Sequence, residues 1–289
     1  MRILFLFPLM IVGACQTAPK PAAPATQTWE EFVRTRPDTF IQSYEQSIAA
    51  MRQQFVSQGL AREHGTIRAY VDAYLPAGNY TLQATGANAS VLRRLRVDNV
   101  ANNLILYGYR AIQFDKPTQA KRLVAAAAGV FGGPSTGADL AVFAPTVVVA
   151  DLDRLDDATD GSSAAIYRSI EPLKNAPAKG VQIRISLRGP TAPSPYPPPP
   201  APGEEDFRWL GRVVLFLSPP RSIGGMRQGS GRYAKITQPM RVEGERLTPG
   251  YHSDIPETTL TKLRAAIRDQ VCAPGFVPVG EAGGTSLAC

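Results

Sequence analysis

Histidine is scarce: His64 and His252 are the only two in 289 residues. A metal centre built on several imidazoles therefore lacks ligands, and neither H-E-x-x-H nor C-x-x-C occurs to suggest zinc or a dithiol redox pair. The P-loop and the dinucleotide-binding G-x-G-x-x-G are also missing, and the G-x-S-x-G spelled by Gly133 to Gly137 sits in the glycine-rich "GGPSTG", which reads as a turn, so no catalytic or cofactor motif is assigned. Charged residues are only 19% of the chain and no apolar run approaches the ~20 residues of a membrane-spanning helix. With 25 glycines and 26 prolines, the composition suits a loop-rich α+β protein better than a helical bundle.

The N-terminus carries more information. Arg2 precedes an apolar run, residues 3–12, broken only by Pro8, as in an export signal. The V-G-A-C at 12–15 resembles the lipobox of bacterial lipoproteins. That resemblance implies removal of residues 1–14, acylation of Cys15 as the mature N-terminus and, with Gln16 rather than Asp next, anchoring in the outer membrane facing the periplasm. Residues 15–28, rich in Pro, Ala and Thr, bury too little apolar surface to order themselves and read as a tether. If Cys15 carries lipid, Cys272 and Cys289 remain to pair in an oxidising compartment, closing a tail at 272–289. The net charge of +7 is spread along the chain, which points to anionic envelope polymers and not to nucleic acid.

Residues 29–137 have helical spacing. Phe40, Ile41, Tyr44, Ile48, Met51 and Phe55 form one stripe that Gly59 ends, and another helix is expected from Pro117 to Val130. Ser90 is placed to cap a helix whose first turns hold Arg93, Arg94 and Arg96. Three arginines there oppose the helix dipole, so they either meet an anionic partner or pair with nearby acids. Residues 66–86 are ambiguous between helix and strand.

From 138 to 271 the period becomes that of strands. "VQIRISLRG" puts Ile183, Ile185 and Leu187 on one face and Arg184 and Arg188 on the other, where they are a second possible contact for an anion or partner. "PTVVVADLD" and "RVVLFLS" are continuous apolar runs, and a helix is expected from Glu257 to Asp269. These strands predict a small antiparallel barrel or a sandwich. The order of "VVVADLD", "YRSIEPLKNAPAKGVQIRIS", "GRVVLFLS" and "GRYAKI…MRVEGERL" resembles the OB-type barrels of secreted netrin-like modules over residues 144–269. It implies a fold and no activity. A proline-rich loop, 189–206, interrupts the strands and is either a variable insertion or a partner-docking segment.

His252, Ser253 and Asp254 are adjacent, which rarely permits a triad, and one of the latter two is placed to cap the last helix. The acidic run "DLDRLDDATDG" misses calcium-loop spacing because Leu155 holds a ligand position, so it reads as a solvated hairpin turn. No cofactor or metal is expected. The favoured function is a non-catalytic envelope lipoprotein binding a protein, peptidoglycan or polysaccharide. The alternative is an envelope hydrolase with scattered catalytic residues.

Overall fold

The computed structural model describes residues 38–76, 89–132, 135–159, 161–188, 204–209, 211–223, 226–228, 233–250, 255–279, 287 and 289. Cys15 with the leader and tether, most of the proline-rich loop and His252 to Asp254 lie outside these residues.

The amphipathic stripe of the first helix, α1 (Asp38–Ser57), buries Ile48 and Phe55. Gly59 ends it at φ +72°, and Leu60 N–H donates back to Phe55 O at 2.7 Å. This left-handed turn is cheap for glycine. Helix α2 (Ala61–Tyr74) then buries His64, Ile67 and Val71, which settles the first half of the ambiguous segment as helix. Helix α3 (Ala89–Leu106) begins one residue before the expected Ser90 cap. A 3-10 turn (Ala111–Phe114) leads to α4 (Pro117–Val130), where Pro117 fits the first turn and Ala126, Ala127 and Ala128 permit close packing. The short α5 (Gly137–Phe143) was not foreseen. Its signal lies in "STGAD": Thr136 Oγ1 accepts from Asp139 N–H at 3.1 Å while the Asp139 carboxylate accepts from Thr136 N–H at 3.0 Å.

The strands that follow are β1 (Thr146–Asp157), β2 (Ser163–Lys174), β3 (Gln182–Arg188), β4 (Arg212–Ser218), β5 (Arg221–Ile223), β6 (Met226–Gln228), β7 (Ala234–Lys235), β8 (Met240–Glu243), β9 (Arg246–Pro249) and β10 (Thr258–Thr259). Apart from the β5–β6 hairpin they form one antiparallel sheet in the order β10-β9-β8-β4-β1-β2-β3, with β7 also on β4. The expected closure into a barrel is not made: pairing ends at β3 on one side and β10 on the other, leaving an open sheet among the described residues.

Both faces of the sheet's centre are covered. Val148, Ala150, Val213 and Leu215 face an inner core with Tyr167, Ile183, Ile185 and Phe207. Val147, Val149, Val214 and Phe216 face the helices, meeting Leu140 of α5 and Leu263 and Ile267 of α6 (Leu260–Val271). This double burial explains the unbroken apolar runs of β1 and β4. Helix α6 starts later than expected, and its cap is Thr259, whose Oγ1 accepts from Lys262 N–H at 3.2 Å.

The tail after α6 is part of the structure's closure. Cys272 and Cys289 are bonded, S–S 2.07 Å, with Cα atoms 5.6 Å apart. Leu287 N–H donates to Leu173 O, and Val279 is buried in the helical core. Gln119 donates to Ala273 O and Pro274 O, and Gln113 to Pro278 O. Tyr109 Oη donates to Phe143 O, another link from the helices to the segment entering the sheet.

Candidate functional site

The acidic stretch read as a turn is strand through Asp157, and the chain turns only beyond it. Carboxylates are poor strand formers alone, but each here meets a basic side chain. Asp151 receives Arg212 through Nε at 2.9 Å and Nη2 at 3.1 Å. Asp153 accepts from Arg168 and Gln182, both at 2.9 Å, and Asp156 accepts from Arg154 at 3.1 Å and Arg184 at 2.6 Å. Asp157 receives Arg208 at 3.0 and 3.2 Å. The result is a lattice of opposite charges over the outer face of β1, β2 and β3, with Leu152, Tyr167, Ile183 and Ile185 packed behind it.

One end of this lattice enters the interior. Glu204 is wholly buried and accepts from Ser163 Oγ at 3.0 Å, Arg188 at 2.7 Å and Arg208 at 2.9 Å. The other end opens into a shallow cleft lined by Asp151, Gly211, Arg212, Val242 and Gly244. Beside it the Arg241 guanidinium lies 4.0 Å from the ring centroid of half-exposed Trp209. Gly211 packs against the same indole; a Cβ there would stand 2.4 Å from Nε1.

These pairs hold one another in their charged forms. The hydrogen bond from Arg168 keeps the Asp153 carboxyl below its usual range, and that from Arg184 does the same for Asp156. Asp157 and then Glu204 push the Arg208 guanidinium up, as Asp151 does for Arg212.

The arginines singled out from sequence have protein partners. Arg93 donates to the Asp72 carboxylate and, at 2.8 Å, to Asp72 O; Arg94 donates to Glu45 at 2.5 Å. Arg96 is buried and donates at 2.6 Å to both Ala128 O and Phe131 O, the terminal carbonyls of α4. Its charge thus sits at the negative end of α4, which resolves the unfavourable placement on its own helix. Arg184 and Arg188 belong to Asp156 and Glu204. Of the two alternatives raised for these arginines, the structure shows pairing within the chain for each of the five, to an acid or, for Arg96, to carbonyl groups.

Two titratable groups lie in the interior. His64 stacks on Phe55 at 5.6 Å between centroids and hydrogen-bonds Asn102 Oδ1 at 2.9 Å; burial lowers its pKa despite that bond, and the Arg52 charge adds to the lowering. Lys174, which sequence gave no reason to single out, donates to Ala141 O at 3.3 Å and Val142 O at 2.6 Å at the end of α5. Burial drives its pKa far down. Among the described residues no group of His, Cys, Asp and Glu is assembled to hold a metal ion, and no helix is long and apolar enough to cross a membrane.

No protein-family model matches the chain, and no curated protein or solved structure matches it.

Proposed function

We propose that the protein is an outer-membrane lipoprotein, anchored through acylated Cys15 and facing the periplasm, that binds an envelope partner without transforming it. The anchor rests on the V-G-A-C lipobox and the proline- and alanine-rich spacer behind it. The binding role is supported by one observation above the others, the arginine–carboxylate lattice on the outer sheet face. General acid–base catalysis wants a group that exchanges protons near neutral pH. The surface groups here are driven the other way, Asp153 and Asp156 downward and Arg208 and Arg212 upward, so they remain charged and suit electrostatic recognition. His64 and Lys174, whose shifts run toward neutrality, face Asn102 and backbone carbonyls in the core.

The partner is an envelope protein or polymer, peptidoglycan or polysaccharide, with charges of both signs or dense hydrogen-bonding groups to exchange with the lattice. Crosslinking in intact envelopes, followed by purification of the anchored protein, tests this. A discrete adduct weakened by Arg168→Ala with Arg184→Ala is expected. Recovery of uncrosslinked protein alone, under conditions that keep weak complexes, overturns it.

A further inference from the structure

Away from the sheet, helices α1, α2 and α3 enclose a cleft of about 340 Å³. Its floor is apolar: Ile48 is 6% and Leu95 3% exposed. Three guanidinium groups, from Arg52, Arg68 and Arg94, stand around it, with the carboxylates of Glu45 and Asp98. Arg68 Nε donates to Asp98 at 2.5 Å, and Arg94 Nη2 donates to Glu45 at the same distance. Arg52 has no ion-pair or hydrogen-bond partner among the described residues. The cleft thus holds one more cation than anions, set around an apolar floor.

The chemistry of the surplus selects the ligand. A guanidinium carries five N–H donors in a planar fork, so pairing with one carboxylate leaves Arg94 and Arg68 donors to share. A second carboxylate, with one charge and two oxygens, would be satisfied by Arg52 alone. A phosphate monoester, with nearly two charges and three free oxygens, can engage Arg52 and a neighbouring arginine together. Its esterified side can then rest on Ile48 and Leu95. We propose that this cleft is a binding site for a phosphate monoester, with Arg52 as the principal contact and Arg94 as the second. This site is independent of the sheet lattice and of the anchor.

The test uses the purified full-length protein and inorganic phosphate as probe, with chloride at equal ionic strength as reference. Phosphate should raise the unfolding temperature, because a ligand of the native state stabilises it. Arg52→Gln should weaken phosphate binding roughly 10-fold, the effect of one lost charge-assisted contact. Arg52→Lys, which keeps the charge and loses the fork, should fall between. Arg246→Gln, remote on β9, should behave as wild type. Absence of a phosphate-specific shift, or an equal shift in Arg52→Gln, overturns the site. Vesicles then separate two sources of the monoester. Preference for phosphatidic acid over phosphatidylcholine vesicles that Arg52→Gln abolishes assigns a lipid headgroup. A phosphate response without that preference assigns a soluble phosphate ester, and both results sustain the site.

Discussion

Arg188, the last residue of β3, donates to the buried carboxylate of Glu204 at 2.7 Å, joining the residue just before the proline-rich loop to one near that loop's end in sequence. Glu204 is shared with Arg208 and Ser163, so the cost of losing one partner depends on which others remain. Arg188→Met alone leaves Arg208 in place and should cost about 1–2 kcal/mol. Arg188→Met with Arg208→Met strands the carboxylate, and about 3–5 kcal/mol is expected. Urea unfolding of the four proteins of this cycle checks it; strictly additive losses would show that the two arginines do not share Glu204.

Gly132, at φ +151°, is pressed against Arg96, where a Cβ would stand 2.1 Å from Nη1. Gly132→Ala should destabilise by about 1–3 kcal/mol through overpacking against a buried cation. In an Arg96→Met background the same substitution should cost less, and thermal unfolding of the single and double variants measures the difference.

His64 gives the stability a pH dependence of predictable sign. Its pKa is lowered on folding from the ordinary 6.5, mainly by burial. As pH falls through 6.5 the unfolded chain takes up a proton that the folded one refuses, so stability declines until the folded pKa is reached and then levels. Lys174 acts in the same direction in alkaline solution, its lowered pKa making stability rise as pH climbs toward 10.5. His64→Leu should flatten the slope just below pH 6.5; an undiminished slope would place its source elsewhere.

Cys272→Ala should lower stability by about 3 kcal/mol in oxidising buffer, the chain-entropy value for a loop with its ends 17 positions apart. Reductant should bring the wild type down to the variant. Thiol labelling of both cysteines in native oxidised protein would contradict the bridge.

Cys15→Ser should release the protein from membranes into the soluble fraction of the envelope. Mass spectrometry of the native protein is expected to find acyl chains on Cys15, and an unmodified thiol there would defeat the anchor.

Much of this architecture was legible because burial leaves a period. The α1 stripe, the 117–130 helix and the alternation of β3 each have one face buried, and each was readable. The double burial of β1 and β4 erased their alternation, leaving strands without a face. Asp151 to Asp157 misread as a turn because their partners, Arg168, Arg184, Arg208 and Arg212, come from later in the chain, and only strand pairing brings them together. Lys174 and Glu204 carried no local signal at all. Closure into a barrel, expected with a sandwich as one of two ways for the strands to bury their apolar faces, depends on whether edge strands meet, a property of curvature and loop length.

Gln113 and Pro278 are hydrogen-bonded across 165 positions of chain, and Val279 fills the helical core beside them. During synthesis the helices therefore emerge long before the segment that seals them. Their packing stays unfinished until the sheet has been made and the chain returns.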